Sequence, residues 1–122
     1  VINWLSKQKK ITEILYPYKP SSKIYKLWKK YYSGASGLLG IVIKSKSKSS
    51  VYSFVNSLEL FGIGYSWGGY SSLAVYNHPA EMGDRRFFKI EKNHHLIRLH
   101  IGLEDTNDLI SDLKNALRKV KQ

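Results

Sequence analysis

The chain has no cysteine, and that absence removes disulfide stapling, thiolate catalysis and every zinc site that needs a sulfur ligand. It is also short of acid: nine aspartates and glutamates stand against 20 lysines and arginines, leaving a formal charge of +11. Arginine itself is scarce, occurring only at Arg85, Arg86, Arg98 and Arg118. Base-edge readout and phosphate forks favour the planar guanidinium over lysine. The lysines run from Lys7 to Lys121 rather than gathering in one block. The charge therefore reads as a solvated surface, and a basic nucleic-acid-binding module is the least supported alternative. No apolar run reaches the roughly 20 residues that cross a bilayer, and no basic stretch introduces a long apolar one at the start. Neither a membrane span nor a signal peptide is read, and a cytoplasmic location is the expectation.

What the chain does have is enough apolar material for a core. Of its 122 residues 43% are hydrophobic and 13% aromatic, which suits a single domain over 1–122. The opening Val1, Ile2, Trp4 and Leu5 read as the last turns of a helix whose beginning is missing. A piece of a longer protein is therefore expected.

Three helices follow from apolar spacing. Ile24, Leu27, Trp28 and Tyr31 form a stripe after Pro20-Ser21-Ser22, which supplies a break and an N-cap for a helix over about 22–31. Val51, Phe54, Val55 and Leu58 fall at i, i+3, i+4, i+7, with Ser49 or Ser50 as the cap. Leu109, Ile110, Leu113, Ala116, Leu117 and Val120 make the clearest stripe. Asp105 and Asp108 stand at its start and Lys114, Arg118, Lys119 and Lys121 towards its end, as the helix dipole favours. Strand-like runs lie at 11–15, 38–43, 61–64 and 96–101, with an irregular loop before the last. In that last run Ile97, Leu99 and Ile101 alternate with Leu96, Arg98 and His100, so one face is apolar and the other carries a cation. Strands interleaved with one-faced helices imply a sheet with helices packed on it, of undetermined strand direction.

Four glycines and four large aromatics share the ten positions from Phe61 to Tyr70. A dinucleotide loop is excluded, because Trp67 stands where the third glycine of G-x-G-x-x-G belongs. A phosphate loop is excluded for want of Gly-Lys-Ser/Thr. The stretch is either a turn beside a strand or a ligand-facing loop. Arg98 is open in the same way: a solvated residue on an outer strand face, or a planar fork for a carboxylate. His94, His95 and His100 lack metal-ligand spacing, with only Glu91 and Glu104 nearby. A triad of Ser66, His100 and Asp105 has no G-x-S-x-G context.

At Tyr65-Ser66-Trp67-Gly68-Gly69-Tyr70-Ser71-Ser72-Leu73, and again at Ile97-Arg98-Leu99-His100-Ile101-Gly102-Leu103-Glu104-Asp105, the chain resembles the Cys/Met-metabolism family of pyridoxal-phosphate enzymes. The S-W-G-G form with Trp67 is similar to the cystathionine β-lyase branch. Ile14-Leu15-Tyr16-Pro17 and Gly34-Ala35-Ser36-Gly37 fit the family's short strand and its G-A-S-G turn, while Ser71 departs from the family's glutamate. The resemblance covers practically the whole chain but only the last third of a family member.

That resemblance implies an α/β two-layer sandwich, with a mainly antiparallel sheet and helices on one face, as the C-terminal small domain. It implies that Arg98 binds the α-carboxylate of an amino-acid substrate, that Ser66 and its backbone assist, and that Tyr65 and Trp67 line the pocket. The activity implied is cleavage of cystathionine to homocysteine, pyruvate and ammonia, a step of methionine biosynthesis, in a homotetramer. Pyridoxal phosphate would sit on a lysine of an N-terminal domain that this sequence lacks. No lysine here has the S-x-T-K context, so the chain alone is expected to bind no cofactor and to be inactive. A non-catalytic remnant or a partner subunit of a split lyase is the alternative.

Overall fold

In the computed structural model, residues 1–78, 82–83 and 89–121 are described. The elements run α1 (Ile2–Leu5), β1 (Ile11–Leu15), α2 (Tyr25–Tyr31), β2 (Leu38–Lys44), α3 (Lys48–Asn56), β3 (Gly62–Ile63), β4 (Leu73–Asn77), β5 (His94–His100) and α4 (Thr106–Leu117). The strands form one sheet in the order β1-β2-β5-β4-β3. β1-β2, β2-β5 and β5-β4 pair antiparallel, and β3 runs parallel to β4 at the edge. The fold is thus the α/β arrangement expected, with a mainly antiparallel sheet.

The alternation read for the last strand sorts the two faces. Leu39, Ile41, Ile43, Ala74, Ile97 and Leu99 are buried in one core with Val51, Phe54 and Val55 of α3 and Leu109, Leu113, Ala116 and Leu117 of α4. The opposite face carries three aligned rows: Leu38, His100 and Leu73; Gly40, Arg98 and Val75; Val42, Leu96 and Asn77. Arg98 therefore stands in the middle strand of the face that α3 and α4 leave uncovered.

Capping explains why α4 is the sharpest element. The Asp105 carboxylate accepts from the Asn107 N–H at 2.8 Å and the Asp108 N–H at 3.3 Å, placing charge and acceptors where a helix start needs both. Beyond its other end, the Lys10 ammonium donates to the carbonyls of Leu117 and Val120 at 2.8 and 2.7 Å. The buried Asp112 ties α4 to the turn after α3, accepting from the backbone N–H groups of Glu59 and Leu60.

Three expectations change. The α3 cap is Ser47 rather than Ser49 or Ser50, its hydroxyl accepting from the Ser50 N–H at 3.2 Å. Ser50 is buried instead, and its own hydroxyl bonds the Ser47 carbonyl. The second change is α2, which starts at Tyr25 without a side-chain cap and buries none of its residues. Its stripe exists but points outward, with Ile24, Leu27 and Tyr31 49%, 58% and 66% exposed. The third is β4, which occupies part of the stretch read as irregular. Ala74 and Val75 are both buried, one on each face, so the segment lacks the alternation that marks a half-buried strand.

The loop 64–72, which carries the aromatics and glycines, is anchored from the exit of β5. The Leu103 N–H donates to the Tyr70 carbonyl at 2.8 Å. Glu104 accepts from the Ser72 N–H and the Ser72 hydroxyl, each at 2.7 Å, while the Gly102 N–H donates to that hydroxyl at 2.8 Å. Any side chain at position 102 would collide with the Tyr70 carbonyl. The Ser72 N–H holds the Glu104 carboxyl below the ordinary glutamate range against the opposing effect of burial, helped by the Ser72 hydroxyl and by His100.

Two outcomes are expected. Phe54→Ala, which empties a fully buried site, costs about 3–5 kcal/mol in urea unfolding of this chain, whereas Leu27→Ala stays within about 0.5 kcal/mol. Equal losses would mean that α2 packs on the core. A carboxylate with a lowered folded pKa contributes stability that is full above the ordinary glutamate value and disappears as pH falls through the folded one. The stability difference between wild type and Glu104→Gln should therefore shrink on acidification from neutral pH. A difference independent of pH would contradict the anchoring role of the charge.

Candidate functional site

Arg98 projects from the middle of β5, between Gly40 on β2 and Val75 on β4. Its guanidinium donates to the Ser66 carbonyl at 2.7 Å. The guanidinium carbon lies 5.3 Å from the ring centre of Tyr65 and 5.2 Å from that of Trp67. The four residues singled out in the sequence thus come together, although Ser66 meets Arg98 through its carbonyl. The faces of the two aromatics receive the delocalised cation, and neither ring is among the residues that wall the cleft beside Arg98. Both are otherwise open, at 67% and 84% exposure.

A cleft of about 470 Å³ opens beside Arg98, walled by Leu15, Leu38, Leu39, Leu96 and Asn77. Gly40 belongs to this wall for a steric reason. A Cβ there would press within 3.2–3.3 Å of Leu96 and Leu15.

Charge is the distinctive feature. Arg98 is half-buried, and among the described residues no carboxylate lies within ion-pair distance of it. A half-buried guanidinium held by one carbonyl and two rings can receive an anion, and its planar fork has the geometry of a carboxylate. The cleft lining, among the described residues, holds no lysine and no carboxylate. These residues alone do not fit pyridoxal phosphate, which needs an amine to attach to and a partner for its ring nitrogen.

The other histidine readings dissolve into structure. His95 lies on the helix-covered face, bonded to the Tyr76 hydroxyl at 2.8 Å and the Ser45 carbonyl at 3.0 Å. His94 sits 3.9 Å from Glu91. Among the described residues no group of three metal-ligating side chains forms. His100 donates to the Gly69 carbonyl at 2.8 Å and Asp105 caps α4, so no triad with Ser66 exists. Arg85 and Arg86 lie outside the described residues. No helix among those described is long and apolar enough to cross a membrane. The residues missed by sequence reasoning are Ser72, Glu104 and His100 as anchors of the loop. The compact R-L-H-I-G-L-E run was the available signal, and only its arginine was used.

Comparison with known proteins gives one family. The family described as Cys/Met metabolism PLP-dependent enzyme matches residues 1–118. The chain is 37% identical over 122 residues to the cystathionine beta-lyase MetC of Escherichia coli (strain K12), across 98% of its own length and 31% of the relative. It is 39% identical over 121 residues to the L-alanine/L-glutamate racemase of Wolbachia pipientis wMel, across 98% of the chain and 30% of that protein. Among solved structures, a putative O-acetylhomoserine (thiol)-lyase from Campylobacter jejuni superposes with a TM-score of 0.73 at 33% identity, over 95% of this chain and 25% of that one. The chain thus spans about 30% of the length of its curated relatives. It belongs to the Cys/Met metabolism family of pyridoxal-phosphate-dependent enzymes.

Proposed function

We propose that the chain is the C-terminal, substrate-recognising domain of a cystathionine β-lyase, with Arg98 as the receptor for the substrate's α-carboxylate. The observation that carries this is the half-buried guanidinium with no carboxylate beside it among the described residues, clasped by Tyr65, Trp67 and the Ser66 carbonyl. The carbonyl fixes one terminal nitrogen, and the two rings limit how the plane can tilt. A fork oriented this way binds a carboxylate bidentately and spends little entropy in doing so.

Pyridoxal phosphate, when bound, supplies the electron sink for cleavage of cystathionine with water to homocysteine, pyruvate and ammonia. In this proposal it is held by a separate, larger domain, and a small-molecule amino acid reaches Arg98 from that side. Two exposed apolar surfaces support such a neighbour. One is the outward stripe of α2, and the other comprises Ile63, Trp67, Tyr70 and Leu103, each 68% exposed or more. Trp67 in an S-W-G-G run supports the β-lyase choice over other carbon–sulfur chemistry.

A second reading rests on the 39% identity to a racemase. Carboxylate recognition would be unchanged, and only the fate of the substrate would differ.

In the polypeptide that carries this chain with its cofactor-bearing domain, Arg98→Ala should lower kcat/KM for cystathionine about 10- to 1000-fold, the scale of losing a charged bidentate contact. Pyruvate release from cystathionine marks the lyase, and D-alanine from L-alanine marks the racemase. Near-normal kcat/KM in the Arg98 variant would overturn the assignment of its role.

A further inference from the structure

Arg98 and His100 are neighbours two residues apart on the face of β5 opposite α3 and α4, and both donate to carbonyls of the same loop. Arg98 takes Ser66, and His100 takes Gly69 through Nε2, which must carry the proton because a carbonyl only accepts. Between those two carbonyls lie Trp67 and Gly68, the latter at φ +113, a conformation that side chains rarely adopt. Gly69 follows, so the stretch after Trp67 has little intrinsic stiffness. His100 is 4% exposed, and its Nδ1 is buried without a hydrogen-bond partner among the described residues. The one hydrogen bond its side chain makes among the described residues is therefore directed at the loop.

We infer that His100 is a positioning residue: by pinning the Gly69 carbonyl it fixes the Ser66–Trp67 segment around Arg98 and so sets the geometry in which the carboxylate is received. This rests on the carboxylate-binding role proposed for Arg98. The other loop anchors, Leu103 on Tyr70 and Glu104 on Ser72, act farther along the chain. Neither of them bonds the Gly68-Gly69 pair. Apart from Arg98 itself, His100 is the contact from β5 that reaches the loop on the Trp67 side of Tyr70 among the described residues.

The test compares two substitutions in the polypeptide that carries this chain with its cofactor-bearing domain, assayed with cystathionine. His100→Gln keeps an N–H donor of similar reach, and His100→Met keeps the length without a donor. The expected result is a KM raised about tenfold in His100→Met, the scale of one hydrogen bond, with kcat changed less than about threefold. His100→Gln should recover most of the affinity. Arg98→Ala is measured in parallel. An unchanged KM in His100→Met alongside an impaired Arg98→Ala would overturn the positioning role while leaving the carboxylate reading intact. An unimpaired Arg98→Ala would instead remove that reading and this inference with it. If His100→Met fails to fold while His100→Gln folds, His100 is a determinant of the fold and the inference is overturned.

Discussion

A half-buried guanidinium, clasped by two rings and a carbonyl with no carboxylate beside it among the described residues, is the interaction on which the loop and the exit of β5 converge. Desolvating a cation without a partner is unfavourable. The guanidinium tolerates it better than an ammonium, because its charge is spread over a plane that two rings can face. Arg98 has those rings in Tyr65 and Trp67 and a neutral acceptor in Ser66. Among the described residues no carboxylate lies within ion-pair distance of it, and on the proposed reading the substrate supplies one.

The fold supplies what this interaction requires. Helices α3 and α4 cover one face of the sheet and make the core, which leaves the other face of β5 free to present Arg98 beside Gly40. The exit of β5 then turns back on the loop, with Gly102 allowing the close approach and Glu104 gripping Ser72. One short run of sequence, from Arg98 to Glu104, thereby provides the cation, the loop clamp and the loop anchor. On the proposed reading, the apolar surface of α2 and the aromatics of the loop are covered by the rest of a larger enzyme.

Elements whose residues alternate or repeat against a single core were legible in the sequence. β5 and α4 are such cases, since Ile97, Leu99, Leu109 and Leu113 all enter the same core. β4 was not legible, because Ala74 and Val75 are buried on opposite faces and leave no period to read. The stripe of α2 was legible as a helix but misleading as a packing surface, because periodicity says that a face is apolar and not which partner covers it. At the site, Arg98, Tyr65, Ser66 and Trp67 were named from motifs, and the structure brings them together. His100 and Glu104 were passed over because their roles depend on backbone groups some 30 residues away, which no local pattern reveals.

The most direct measurement is a structure of this chain together with the cofactor-bearing domain that the proposed reading assigns to it, determined with an amino-acid substrate bound. The account predicts that both carboxylate oxygens lie about 2.7–2.9 Å from Arg98 nitrogens, with the Ser66 carbonyl still bonded to the guanidinium. A carboxylate bound elsewhere, with Arg98 turned to solvent or paired to a protein acid, would contradict it.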